Sequence, residues 1–283
     1  MLTRSIHDHA SSVAPTTHSL VQNSSFADRY GRWAVVTGAS DGIGRAIAEA
    51  LATDGMSLVL VARRSAVLDE IAAGLQAQHG TRTHVIAADL GTETGVEAVL
   101  SETEALDVGL LVAAAGYGTS GPFLDNDLEQ ELDMLTVNCR AVVAMTHAFG
   151  RRFMARGRGA IILMSSLLAF QGVPRATNYS ASKAYVQSLA EGLAVEMQPF
   201  GIDVLASAPG PVRSGFQDRA GMTPSFAQTP DQVARGTLRA LGRQVTVRPG
   251  FLARALEASL AVLPRRGRVW MMTRVMASMT SRG

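Results

Sequence analysis

From Trp33 onward, short runs of β-branched and aliphatic residues alternate with longer segments of helical pattern, and this alternation restricts the fold more than any other feature. The strand-like runs are Ala34–Thr37, Ser57–Val61, Thr83–Ala87, Gly109–Ala113, Ala160–Met164, Asp203–Ser207 and a short one near Val245–Val247. Between them lie helical patterns such as Ile43–Thr53, Val67–Gln78 and Leu128–Arg156. Nearly continuous apolar strands separated by helices indicate parallel strands buried on both faces. The expected fold is α/β: a Rossmann-type, doubly wound parallel sheet of about seven strands with helices on both faces. Ligands of such sheets bind beyond the carboxyl ends of the strands, so functional residues are expected just after strands.

The first strand runs into Gly38-Ala39-Ser40-Asp41-Gly42-Ile43-Gly44 and then into a helix. Gly38 permits the sharp turn, Gly42 lets the backbone approach a pyrophosphate, and Gly44 lets the helix pack on the strand. The helix N-terminus offers amide donors and the positive end of a dipole to phosphate. At the end of the second strand, an NAD-binding chain usually carries an acid for the ribose 2′-hydroxyl. Here Ala62 is followed by Arg63 and Arg64, whose guanidinium groups suit a 2′-phosphate. NADP(H) is therefore the expected cofactor. Asp89, with Leu90 beside it, follows the third strand and is placed to meet the adenine ring, although an acid capping a turn has the same pattern.

Tyr179 and Lys183 are spaced i, i+4 in a helix-compatible run, which puts them on one face. A free phenol titrates near 10. A cation about 4 Å away, contributing on the order of 4 kcal/mol at an effective dielectric of 20, is enough to bring it near neutrality. Lys183 is the only lysine beside twenty-five arginines. A compact ammonium can reach both a ribose hydroxyl and a phenol, which the planar guanidinium cannot do as well. Ser165 and Ser166 follow the fifth strand, on the same side of the expected sheet.

The set TGASDGIG (37–44), AAAG (113–116), Asn138, Ser166, YSASK (179–183) and PGPV (209–212) resembles the short-chain dehydrogenase/reductases from about Tyr30 to Gly250. The segment 29–44 looks most like the branch of 3-ketoacyl-CoA reductases and 17β-hydroxysteroid dehydrogenases. The resemblance implies that Tyr179 protonates a carbonyl oxygen as hydride arrives from NADPH, or deprotonates the alcohol in reverse. It implies that Lys183 lowers the tyrosine pKa and holds the nicotinamide ribose. Ser166, thirteen residues before Tyr179, would hydrogen-bond the substrate oxygen, and Asn138 would hold a water linking Lys183 to solvent. Ala115, Gly116, Pro209, Gly210 and Val212 would line the cofactor, with Ser214 near the carboxamide. Two departures stand out: Ala113-Ala114-Ala115-Gly116 replaces the family's Asn-Asn-Ala-Gly, and Asp41 stands where many NADP users have a base. The family also suggests a homodimer or homotetramer. A silent NADP(H)-binding regulator, or a double-bond reductase or epimerase on the same site, are the alternative activities.

Phe123, Leu168, Phe170, Val173 and Phe216 are the pocket candidates, and their apolar character suggests a lipophilic carbonyl or alcohol as the small-molecule substrate. Residues 1–29 read as a flexible tail, 30–250 as the catalytic domain and 251–283 as a basic, methionine-rich helical segment. His7, His9 and His18 are expected to be solvated tail residues, and no metal is expected. From Leu241 onward there are eight arginines and one acid. That segment is either a lid or oligomer contact with inward methionines, or a peripheral contact with an anionic membrane. The formal net charge of +2 gives no reason to expect nucleic acid, and the single cysteine, Cys139, fits a reducing cytoplasm.

Overall fold

A computed structural model describes residues 25–215, 227–250 and 263–280. In chain order the main elements are α1 (Phe26–Tyr30), β1 (Trp33–Thr37), α2 (Gly42–Thr53), β2 (Ser57–Ala62), α3 (Ser65–His79), β3 (Thr83–Ala87), α4 (Glu93–Glu102) and β4 (Val108–Ala113). They continue with α5 (Leu128–Leu135), α6 (Ala141–Arg156), β5 (Gly159–Met164), α7 (Thr177–Met197), β6 (Ile202–Ser207), α8 (Pro230–Ala240), β7 (Thr246–Val247) and α9 (Arg265–Thr280). The seven strands form one parallel sheet in the order β3-β2-β1-β4-β5-β6-β7.

Alternation along each strand divides the core. Ala34 and Val36 of β1, Leu58 and Leu60 of β2, and Ala160 and Ile162 of β5 meet α2, α3 and α8 on one face. Trp33 and Val35, Val59 and Val61, and Ile161 and Leu163 meet α4, α6 and α7 on the other. Burial on both faces explains why these strands read as unbroken apolar runs.

Two features depart from the expected organisation. Residues 25–29 belong to the folded domain rather than to a tail. Ser25 and Asp28 form a reciprocal capping box at the start of α1. Arg29 and the Tyr30 hydroxyl both bind the Asp203 carboxylate, each at 2.8 Å. The histidines of residues 1–24 lie outside the described residues. The helical run from Leu128 to Arg156 is also not uniform. A π turn, Thr136–Arg140, separates α5 from α6, with the Ala141 amide bonded to the Thr136 carbonyl. Such widened turns are frequent at functional sites, and this one carries Asn138.

Candidate active site

The glycine turn fits its expected use. Gly38 has φ +67, a conformation that disfavours side chains, and a Cβ on Gly44 would lie 2.5 Å from the Gly38 carbonyl oxygen. Helix α2 thus packs directly onto the turn. Asp41 makes no capping bond to α2; its carboxylate accepts from the Gly215 amide at 3.2 Å. The first amides of α2 are therefore not taken up by their own N-cap side chain, as a phosphate-binding helix requires. Ser214 lies against Gly42, whose added Cβ would meet the Ser214 Cβ at 2.9 Å, so the segment after β6 closes over the turn. We expect Gly44→Ala to push the helix off the turn. It should lower stability by about 1–3 kcal/mol and weaken dinucleotide binding, checked by thermal melting and NADPH titration.

The two arginines differ in their commitments. The Arg64 guanidinium donates to the Ser40 carbonyl at 3.1 Å and to its hydroxyl at 3.0 Å, folding over the turn. Arg63 is exposed and makes no hydrogen bond or ion pair within the described residues. Asp89 accepts from the Gly91 amide at 2.9 Å, so one carboxylate oxygen caps the local turn. Leu90 is buried in the core with Val96 of α4, which leaves its backbone for any ligand contact. The alanines at 113–115 are compensated from β1: the Thr37 hydroxyl accepts from both the Ala114 and Ala115 amides at 3.0 Å.

Asn138, Ser166, Tyr179 and Lys183 converge at the carboxyl ends of β4 and β5. The Tyr179 hydroxyl is hydrogen-bonded to Ser166. Ser165 points elsewhere, donating to the Lys183 carbonyl at 3.2 Å. Lys183 donates to the Met164 carbonyl at 2.9 Å, and its ammonium is 5.8 Å from the Tyr179 ring centre. The Asn138 amide clamps the Tyr117 backbone, accepting from its N–H at 3.1 Å and donating to its carbonyl at 2.9 Å. It also donates to the Ser182 hydroxyl. This holds Gly116 where an added Cβ would meet Asn138 Oδ1 at 2.7 Å and the Lys183 ammonium at 3.4 Å. A cradle closed to side chains on this side, with a buried ammonium facing it, fits the ribose of a dinucleotide.

The electrostatics correct the expectation of a tyrosine already poised near neutrality. Burial pushes the Tyr179 pKa up to about 12, opposed only by the hydrogen bond from Ser166. Burial also lowers Lys183 to about 8. Tyr179 is 8% exposed and Lys183 6%. Desolvation disfavours both charged forms, and the ammonium is directed to Met164 rather than to the phenol. At neutral pH the phenol is therefore held protonated while Lys183, at about 8, still carries its charge, and further charge or hydrogen-bonding partners are needed to make the phenol acidic.

An apolar roof covers this centre. Tyr179 packs with Met134, Val173 and Ala176 and with Met272 and Met276 of α9, which are 2% and 1% exposed. Leu168 packs against the same cluster. Phe170 lies under the Arg248 guanidinium at 4.3 Å, and Phe123 is half-exposed on a short 3-10 turn. Phe216 lies outside the described residues. Met272 and Met276 of α9 thus face inward against Tyr179, with the half-buried Met271 packed on the same cluster. No helix among the described residues is long and apolar enough to cross a membrane. The roof partners Met134 and Tyr117 were not singled out from the sequence. Nor was Glu131, whose helical spacing to Asn138 was the available signal.

The short chain dehydrogenase family profile matches residues 32–224. This chain belongs to the short-chain dehydrogenase family. It is an oxidoreductase whose relatives are named for reactions at hydroxyl and keto groups. The dehydrogenase is 30% identical over 236 residues to a 7beta-hydroxysteroid dehydrogenase of Collinsella aerofaciens, covering 79% of this chain and 88% of the relative. It is 36% identical over 220 residues to a very-long-chain 3-oxoacyl-CoA reductase of Anas platyrhynchos, covering 76% and 70%. Among solved structures, one described for 7beta-hydroxysteroid dehydrogenase stereoselectivity superposes with a TM-score of 0.82 at 26% identity, covering 88% of this chain and 99% of that one. A short-chain dehydrogenase from Sphingobium yanoikuyae in complex with NADPH gives 0.73 at 30% identity, covering 82% and 96%.

Proposed function

We propose that this dehydrogenase interconverts a lipophilic ketone and its alcohol with NADP(H), and that Tyr179 is its proton donor and acceptor. The observation that carries this reading is the Tyr179–Ser166 hydrogen bond, in an apolar setting with Lys183 one helical turn away. Gly38–Gly44, Gly116 and Lys183 would hold the dinucleotide, and bound NADPH supplies the hydride. Tyr179 gives its proton to the carbonyl oxygen, and Ser166 donates a hydrogen bond to the same atom, stabilising developing negative charge. Lys183 favours the phenolate by its charge once ligand hydroxyls share its donors with Met164. The methionine and leucine roof excludes water and favours an apolar substrate body. Relatives named 7beta-hydroxysteroid dehydrogenase and very-long-chain 3-oxoacyl-CoA reductase make ketosteroids and 3-oxoacyl thioesters the first two classes to test.

The test follows NADPH absorbance with ketosteroids, 3-ketoacyl thioesters, aromatic ketones and aldehydes. Turnover of a bulky apolar ketone is expected. If only small polar carbonyls reacted, the substrate reading would be wrong. Arg63 is assigned to the 2′-phosphate. Arg63→Ala should weaken NADPH binding by roughly 10- to 100-fold, the value of a charge-assisted bond, while NADH affinity stays within about twofold. Equal losses for both dinucleotides would refute the assignment.

A further inference from the structure

Glu131, on α5, is a carboxylate 3% exposed. One oxygen accepts from the Asn126 amide at 2.7 Å and the other from the Asn178 amide at 2.6 Å. Asn178 also donates to the Glu131 backbone carbonyl at 3.1 Å. Among the described residues no arginine, lysine or histidine forms an ion pair with it. A buried carboxylate without a cation is costly, and an apolar residue could fill its space. Its position shows what the carboxylate does there.

Asn178 immediately precedes Tyr179, at the second position of α7. The N-cap of that helix, Ala176, provides no side-chain bond to the first turn. The end of the helix that carries the phenol therefore lacks the usual anchor, and the Glu131–Asn178 pair supplies one. A negative group near a helix N-terminus is also favoured by the dipole. Glu131 precedes Asn138 by seven residues, on the helix that runs directly into the π turn carrying Asn138. It therefore joins the element that carries Asn138 to the element that carries Tyr179. Through Asn126 it also holds the loop that bears Phe123.

We propose that Glu131 is a positioning residue that sets the Tyr179 hydroxyl on Ser166 by clamping Asn178; this rests on the assignment of Tyr179 as the acid. Glu131→Gln preserves shape but turns one acceptor into an amide that faces an amide donor. It should lower kcat by about 10- to 100-fold, as small misplacements of reacting groups do, with the KM for NADPH within about twofold. Backbone hydrogen exchange in segment 176–182 should accelerate, and exchange in β1 and α2 should not change. Asn178→Ala should lower kcat alone by a similar factor, which keeps the test open if Glu131→Gln folds poorly.

Wild-type kcat in Asn178→Ala, or in a folded Glu131→Gln variant, would overturn the proposal. Hydrogen exchange reads the clamp without substrate. Unchanged exchange in 176–182 removes the clamp even if Tyr179→Phe is inactive. Accelerated exchange in an enzyme for which Tyr179→Phe remains fully active removes the role of Tyr179, and with it the positioning role.

Discussion

Tyr179→Phe is expected to lower kcat by about 10²- to 10⁴-fold, the usual worth of a positioned general acid. NADPH affinity and fold should be retained. The substitution removes one oxygen from a side chain that otherwise packs among Met134, Val173, Ala176, Met272 and Met276. Those apolar contacts are kept, so thermal stability should change little. Ser166 loses its phenol partner but keeps the bond it accepts from the Leu168 amide at 3.2 Å. The measurement is single-turnover reduction of an accepted ketone, with NADPH binding followed separately by fluorescence. A variant with wild-type turnover would sink the proposed mechanism.

Lys183→Met is expected to abolish turnover and yet stabilise the ligand-free protein at neutral pH. The lysine is buried and its pKa falls from an ordinary value of 10.5 to about 8. Between those values the unfolded chain binds more protons than the folded one, so stability rises with pH across that window. Below about pH 8 both states are charged, and the full burial penalty, on the order of 3 kcal/mol, is present. Methionine removes that penalty but leaves the Met164 carbonyl without its donor, which costs about 1–2 kcal/mol. The net gain of about 1–2 kcal/mol should raise Tm by roughly 2–4 °C at pH 7. The pH dependence supplies a second check. The wild-type protein should gain stability from pH 8 toward 9, and the variant should lose that gain. Above this range Cys139 and Tyr179, whose pKa values burial raises, pull stability down in both proteins. A variant less stable than wild type at pH 7 would show that the Met164 hydrogen bond outweighs the desolvation of the ammonium.

The strands were readable in the chain to within about a residue because parallel strands covered on both faces must be apolar throughout. The glycine turn was readable for a related reason: a strand, a tight turn and a close-packed helix each impose a local residue requirement. Helix α1 has no legible pattern in the sequence, although Ser25 and Asp28 stand at capping-box spacing, because five residues are too few to show helical periodicity. The π turn at Thr136–Arg140 has no periodic signature of its own. It forms where the Asn138 amide finds the Tyr117 backbone, a contact across 21 residues.

What the sequence by itself determined is the chemical inventory and its local order: a phenol and an ammonium one turn apart, a serine after a strand, and a phosphate turn without an acid at the second strand. These follow from spacing within single elements. Tertiary structure decided how each group is used. It turned Ser166 toward the phenol and Ser165 away, folded Arg64 over Ser40 while leaving Arg63 exposed, and brought Met272 and Met276 onto Tyr179. It also reversed the expected acidity of that tyrosine, because desolvation depends on what the rest of the chain packs around a group, and i, i+4 spacing carries no record of that.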